Sequence, residues 1–409
     1  MKKVFITGRG LITPLGHGKV VNQKALREGK SGIVFVPKWD EVGLLSCVAG
    51  IVNIDTDAES QHLDRKRKRF MAHNSIMAVL AVEEALAEAN LTPEYIAGKR
   101  IAVISGVAGT SYEEIYGATA KYLQTKTLRK INPCIVPRIM PSSAVSNLSL
   151  IFGFTGESYD ISAACASSAH ASMLGARMIQ SGMYDIVICG GAEQTDWVQA
   201  LGFTAIRALS KSYNDCPEKA SRPFAADRDG FVLAEGAGFM VLESEKSIKE
   251  RNVEAIVQIS GAYGNSNATD MVVPDKDASA AVMRGALASA NLVPADIDYI
   301  NTHGTATIIG DPIEMRAIQE VFGDTPAINS TKSQTGHMVG ATGAVELIFT
   351  SMMIENNFIS PSLNLENPEE EFKTADFVTK TRENVKIKHA LSNSFAFGGS
   401  NAALVISAV

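Results

Sequence analysis

One cysteine and two histidines stand where polar side chains could do chemistry. Cys165 lies in Y-D-I-S-A-A-C-A-S-S-A-H-A-S-M-L-G. A short strand runs into small residues and then into a helix with little bulk in its first turn. At a helix N-terminus free N–H groups and the dipole favour a thiolate, so the Cys165 pKa is expected to fall. The small neighbours leave room for a carbonyl carbon, and the Cys165 N–H is free to donate to an oxyanion. Ser167 and Ser168 are rival nucleophiles but read better as polar fillers of the first helical turn. His170 points away from Cys165 on the helix and reads as structural. His303 closes the strand Y-I-N-T-H-G, and His337 follows the glycine of T-K-S-Q-T-G-H at the start of another helix. Lys332 sits in that second loop and Glu346 on the helix after it. Strand ends are where α/β proteins place chemistry. The C-terminal run N-S-F-A-F-G-G-S-N sets Phe395 and Phe397 before Gly398–Gly399, a pair that permits positive φ or a close backbone approach.

These segments need a framework, and the chain supplies one twice. A-L-A-E-A-N-L-T-P-E-Y-I from Ala85 and A-L-A-S-A-N-L-V-P-A-D-I from Ala286 agree at eight of twelve positions. Each ends an alanine-rich helix, and each precedes a β-branched run that stops at glycine, Gly106 or Gly304. V-F-I-T-G-R-G from Val4 likewise pairs with V-Q-I-S-G-A-Y-G from Val257. Residues 1–250 and 251–409 therefore read as related halves, the first with the nucleophile and the second with both histidines. Strands are expected at Lys3–Gly8, Ile101–Ser105, Asp185–Cys189, Phe239–Glu243, Ala255–Gly261, Tyr299–Thr302 and Ala402–Ile406. Helices are expected at Ala72–Asn90, Ala166–Gln180, Ala278–Asn291, Asp311–Phe322 and Gly340–Glu355. Strands alternate with helices and several are apolar throughout, which gives an α/β layered protein with two central sheets. Gly8-x-Gly10 follows a strand, but Thr13 and the lack of a closing acid argue against a dinucleotide fingerprint.

Composition limits the classes. Of 409 residues 46% are apolar and 20% charged, and the net charge is −6. No apolar run is long enough to span a membrane, the N-terminus lacks the features of a secretory signal, and a cytoplasmic protein is expected. Five scattered cysteines without a C-x-x-C pair indicate neither zinc site nor disulfide framework. The acidic balance argues against nucleic acid despite the cations from Arg65 to Arg69.

The A-C-A-S-S-A-H, H-G-T-x-T-x-x-G-D, T-K-S-x-T-G-H and N-S-F-x-F-G-G-S-N blocks together resemble the elongating β-ketoacyl-[acyl carrier protein] synthases of thiolase fold, across essentially the whole chain. The resemblance implies a duplicated αβαβα fold with two mixed sheets. It implies decarboxylative condensation of an acyl chain on Cys165 with malonyl-acyl carrier protein in fatty acid biosynthesis, without cofactor, in a homodimer. A specialised ketosynthase making a polyene or polyketide is the alternative. By position, Cys165 and Phe397 N–H groups would form the oxyanion hole. His303 and His337 would meet the malonyl thioester, and Lys332 with Glu346 would tune them. Thr305 and Thr307 would hold the phosphopantetheine, Phe397 would gate the tunnel beside Phe395, and Phe231 would border the decarboxylation site. Gly109 would lie at the tunnel floor. Arg65, Lys66, Arg69, Lys126, Arg129 and Lys130 would dock the acidic carrier protein. No catalytic metal is implied; Asn301, Glu346, Ser392 and Asn393 can surround a structural cation in this family. Two departures bear on the site: Ala396 replaces a glycine and Ile308 a proline. A degradative thiolase would need a second catalytic cysteine, and none follows Cys216. A silent subunit would lack the nucleophile.

Overall fold

The computed structural model describes residues 2–54, 60, 62–323 and 326–409. Ten strands build its main sheet: β1 (Val4–Thr13), β2 (Ala102–Gly106), β3 (Ser158–Ile161), β4 (Ile186–Glu193), β5 (Gly236–Ser244), β6 (Val257–Ser266), β7 (Tyr299–Asn301), β8 (Ala327–Asn329), β9 (His389–Ser394) and β10 (Ser400–Ala408). Their order is β8-β7-β9-β10-β6-β1-β5-β4-β2-β3, with the two-residue strand Gly16–His17 added to β1. Seen from the β1–β6 junction the two sides repeat one plan. β1 pairs antiparallel with β5, β5 antiparallel with β4, and β4–β2–β3 run parallel. β6 pairs antiparallel with β10, β10 antiparallel with β9, and β9–β7–β8 run parallel. The two sheets expected from sequence thus meet edge to edge, joined by Val4–Ile6 against Val257–Ile259.

The helices that position the site are α1 (Arg65–Lys68), α2 (His73–Glu88), α3 (Tyr112–Thr125), α4 (Ser167–Gln180), α5 (Trp197–Ala205), α6 (Lys276–Ala290), α7 (Gly310–Phe322) and α8 (Thr342–Asn356). α4 and α8 pack on each other and on strands of both sides, forming the central layer, while α2 and α6 cover the outer faces. α8 is buried on every face from Thr342 to Ile354, which explains an apolar sequence with no amphipathic stripe. Gly8 and Gly10 serve packing, not phosphate binding. A Cβ on either would meet the α2 backbone, at 2.1 Å from Ala85 O and 1.8 Å from Ala81 O. Among the described residues no helix is long and apolar enough to cross a membrane.

Candidate active site

The nucleophile comes from the turn between β3 and α4. Ala164 takes a φ of +45°, a conformation costly for a residue with a Cβ, and Cys165 follows it in a 3-10 turn that runs into α4. Ser167 and Ser168 are tied into this framework and buried. Ser167 Oγ donates to Ala164 O at 2.6 Å, and Ser168 Oγ accepts from Ala344 N at 2.9 Å. His303 lies just past β7 and His337 in the loop before α8. Three distant segments therefore converge: the sulfur of Cys165 and one ring nitrogen from each histidine all lie within 4.8 Å of one another. The two imidazoles stand edge to face, ring centres 5.4 Å apart, with Phe231 against His337 and Phe395 against His303.

A cavity of about 260 Å³ leads from the surface to Cys165. His303, His337, Thr305, Thr307, Phe231, Phe395 and Phe397 all line it, as does Ile308. Lys332 and Glu346 do not line it; they are buried, ion-paired at 2.7 Å with about 1% of either side chain exposed. Gly109 does not line the cavity. The docking candidates stand apart from it and exposed: Arg65, Lys66 and Arg69 on and just after α1, and Lys126, Arg129 and Lys130 just after α3. Ala396 is extended, at φ −130° and ψ 152°, so alanine is unstrained there, while Gly398 and Gly399 take φ of +78° and +72°.

The electrostatics correct one expectation. Burial pushes the Cys165 thiol up to about 12 instead of lowering it, and Glu193 adds to that rise. The Lys332 charge and N–H groups of Phe397 and Cys165 pull the other way. Cys165 faces the cavity, yet protein surrounds it densely enough for desolvation of the thiolate to win. Burial and the Lys332 charge hold both His303 and His337 well below the usual histidine range, so both are neutral near pH 7. Thr342 Oγ1 lies 3.0 Å from His337 Nδ1, and Nε2 has no partner among the described residues. A neutral thiol beside two neutral imidazoles can pass its proton to one of them as it attacks. Imidazole N–H groups and the N–H groups of Cys165 and Phe397 can each receive a developing oxyanion.

Four anchoring residues escape notice in the sequence. Glu314 accepts the N–H groups of His303 and Gly304 at 2.8 and 2.7 Å. Asp311 accepts those of Thr305, Thr307 and Phe224. Arg228 donates to the carbonyls of Thr307 and Ile308, both at 2.8 Å. Glu193 accepts from Ala108, Gly109 and Gly340 N–H. The spacing H-G-T-A-T-I-I-G-D-P-I-E carried the signal for Asp311 and Glu314, two acids returning on a helix to the loop before it. Among the described residues Glu346 Oε2 and Asn393 Oδ1 are buried without a hydrogen-bond partner, and Asn301 donates to Ser392 at 3.3 Å. That oxygen-rich set fits a cation.

The buried acids set the pH response of stability. Burial pushes Glu193, Glu314 and Asp160 each up to about 7, whereas an unfolded chain releases such protons near pH 4. Between those values the native protein holds protons that the unfolded chain has lost, so this stability disappears as pH rises through 7. His303 and His337 act oppositely, because the unfolded chain binds their protons below about pH 6.5 and the native site refuses them. Above that point the acids dominate. Stability at pH 7 should exceed that at pH 8 by about 0.5–1 kcal/mol. Denaturant melts at the two pH values check this; a protein more stable at pH 8 would contradict it.

A twice-used αβαβα plan that turns one cysteine toward two neutral histidines defines a condensing acyltransferase of thiolase fold. The chain belongs to the β-ketoacyl synthase family: residues 1–247 match its N-terminal domain and residues 255–366 its C-terminal domain. It is 41% identical over 409 residues to the 3-oxoacyl-[acyl-carrier-protein] synthase 1 of Escherichia coli (strain K12), covering 99% of both proteins. A crystal structure of a β-ketoacyl synthase from Burkholderia phymatum STM815 superposes with a TM-score of 0.94 at 33% identity, covering 100% of both chains. A type II polyketide synthase assembly, an acyl-carrier protein in complex with its ketosynthase bound to the hexaketide, gives a TM-score of 0.90 at 28% identity, covering 100% of this chain and 99% of that one.

Proposed function

We propose that this protein condenses an acyl chain held on Cys165 with malonyl-acyl carrier protein, releasing CO2 and forming 3-oxoacyl-acyl carrier protein in fatty acid biosynthesis. The observation that carries the reading is the Cys165–His303–His337 cluster at the end of the cavity. The 41% identity to a 3-oxoacyl-[acyl-carrier-protein] synthase 1 outweighs the 28% to the ketosynthase of a type II polyketide system.

The steps balance with the protein's own groups. Cys165 Sγ attacks the acyl thioester while an imidazole takes the thiol proton. The tetrahedral oxyanion meets the N–H groups of Cys165 and Phe397. Its collapse breaks the bond to the carrier's sulfur, which leaves with the proton. Malonyl thioester then occupies the cavity, its arm beside the hydroxyls of Thr305 and Thr307, 3.1 Å apart. Its C–C bond to the carboxylate breaks, and the electron pair becomes an enolate whose oxygen accepts N–H from His303 and His337. For His337 Nε2 to donate, Nδ1 accepts the Thr342 hydroxyl. The enolate carbon attacks acyl-Cys165, and collapse frees the sulfur as a thiolate, which takes from water the proton it gave up during loading. No step calls for an organic cofactor. Asn301, Glu346, Ser392 and Asn393 would hold a structural cation, whose positive charge would offset the buried carboxyl. Phe397 gates the chain side and Phe231 borders the site of CO2 loss. Chain halves dividing near residue 250, a homodimer and a cytoplasmic setting complete the reading.

The test is to supply malonyl-acyl carrier protein and acylated carrier, then follow CO2 and the 3-oxoacyl product. Acyl transfer without CO2 release would sink the reading. The partner is the acidic carrier protein, drawn by Arg65, Lys66, Arg69, Lys126, Arg129 and Lys130. Support comes from their exposure on a chain of net charge −6 and from the carrier-protein complex of the polyketide relative. Arg65→Glu with Arg69→Glu should raise KM for carrier-bound substrate about tenfold or more and leave kcat within about twofold. The native enzyme should lose affinity with added salt and the variant much less. Equal salt dependence would remove these cations from the docking surface.

A further inference from the structure

The three groups that serve condensation also have the composition of a metal chelate. The Cys165 sulfur and one ring nitrogen from each of His303 and His337 lie within 4.8 Å of one another, and the cavity reaches all three residues. One thiol and two neutral imidazoles suit a borderline-soft divalent cation such as Zn²⁺. Three protein ligands beside an open space are the pattern of a zinc site that keeps its fourth position for water. Bonds of about 2.3 Å to sulfur and about 2.0 Å to nitrogen put tetrahedral ligand atoms about 3.3–3.6 Å apart. The side chains therefore need to close by at most about 1.5 Å, by rotation at a cavity wall. No C-x-x-C spacing announces this set, because its members come from three loops far apart in the chain. Among the described residues no other three His, Cys, Asp or Glu side chains bring ligand atoms together in this way.

The surroundings suit a ligand role. A metal-bound histidine engages its other ring nitrogen in a hydrogen bond that fixes tautomer and ring. His337 has that arrangement: Nδ1 lies 3.0 Å from Thr342 Oγ1, and Nε2 is buried with no partner among the described residues. The Thr342 hydroxyl both donates and accepts. It donates to Nδ1 when Nε2 carries the proton that the enolate needs, and accepts from Nδ1–H when Nε2 offers its lone pair to a metal. His303 Nδ1 is likewise buried without a partner among the described residues, and Glu314 fixes the His303 backbone at 2.8 Å. The Lys332 charge opposes a cation here, but Glu346 meets that charge at 2.7 Å.

Resting on the reading that Cys165 carries the acyl chain, we propose that the unacylated site binds Zn²⁺ or a similarly thiophilic dication through Cys165, His303 and His337, and that the bound metal reversibly shuts the enzyme off. Binding breaks the S–H bond, forms the sulfur–metal bond and releases the proton to water, with no change of oxidation state. The metal then holds the sulfur pair that would attack a thioester and the two nitrogens that would meet the enolate. Acyl loading and CO2 release stop together. An acyl group on Cys165 replaces the thiolate by a thioester, a poor ligand, so the loaded enzyme resists the metal. Mg²⁺ and Ca²⁺ prefer oxygen ligands and pass the site by.

The experiment titrates the full-length protein with Zn²⁺, and in parallel with Co²⁺ as a spectroscopic probe. One equivalent of Zn²⁺ should cut both acyl loading, read by intact-protein mass spectrometry, and CO2 release by about tenfold or more, and a chelator should restore them. Mg²⁺ in about hundredfold excess should leave both within about twofold. Co²⁺ should give the strong visible bands of a four-coordinate site with a sulfur-to-cobalt charge-transfer band, which preloading Cys165 with an acyl group abolishes. Cys165→Ala should lack that band, and its CO2 release should withstand the Zn²⁺ that silences the native enzyme. Thr342→Val should weaken Zn²⁺ binding about tenfold or more by freeing the His337 ring. Zn²⁺ that leaves native loading untouched, or a one-equivalent site that survives Cys165→Ala with its affinity unchanged, overturns the proposal alone. A native protein that takes no acyl group on Cys165 from any carrier, with chelator present, overturns the reading of function beneath it, while the cobalt spectrum still reports on the metal site.

Discussion

Replacing Cys165 by alanine should abolish acyl loading outright, a fall of at least about 10⁴-fold in transfer rate, while leaving the fold in place. No neighbour can substitute. The hydroxyls of Ser167 and Ser168 are fully buried and committed to backbone partners. Cysteine to alanine removes one sulfur at a cavity wall, so the cost in stability is about 1 kcal/mol. The same variant separates the two halves of the chemistry. His303 and His337 keep their positions and stay neutral, because the cause of their low pKa is burial and Lys332, not the sulfur. CO2 release from malonyl-acyl carrier protein should therefore persist within about tenfold of the native rate. Intact mass measures loading, and labelled CO2 measures decarboxylation. An acyl adduct on Cys165→Ala would show that another nucleophile carries the chain. Loss of both activities together would show that the histidines depend on the sulfur.

The parts of this site that could be read from the chain are those that announce themselves by residue type at strand ends. Cys165, His303, His337 and Lys332 sit in runs of small residues beside strong strand or helix patterns, and the long strands and helices fall within a few residues of their expected places. The strands β3, β8 and β9 were not legible. β3 and β8 pair over four and three residues at the two parallel edges of the sheet, which leaves no periodicity to detect, and β9, H-A-L-S-N-S, is buried from Ala390 to Ser394 although Ser392, Asn393 and Ser394 are polar. The low pKa expected of Cys165 failed for a related reason. Helix position is visible in sequence, but the density of protein around a sulfur is not, and here desolvation outweighs the dipole. Arg228 and Glu193 act on backbone groups of loops 79 to 85 residues away in the chain, a partnership that residue type alone does not announce.

Lys332→Met should be the most damaging single change to stability and should also move the acid limb of activity. Lys332 and Glu346 are each about 1% exposed and joined at 2.7 Å, and burial pushes the Glu346 carboxyl up against the pull of that ammonium. Removing the lysine leaves a buried acid with Thr331 as its main remaining donor, at 3.2 Å, at a cost of about 3–5 kcal/mol. Replacing both partners, as Lys332→Met with Glu346→Leu, should recover most of that loss, because neither charge is then stranded. Activity should not recover with stability. Lys332 is the cation that lowers both His303 and His337, and it also favours the Cys165 thiolate. Without it the imidazole pKa values rise toward the ordinary range. Both histidines then begin to protonate at a pH where the native pair is still neutral, and the thiol becomes harder to ionise. The rate of acyl loading in the double variant should therefore fall away at a higher pH than in the native enzyme. It should keep declining as pH drops, whereas native activity holds on below pH 6.5. Loading rates across pH, with denaturant melts run on the same preparations, decide the matter. A double variant that regains stability and keeps the native acid limb would mean that burial alone sets the histidines, and that Lys332 serves only to satisfy Glu346.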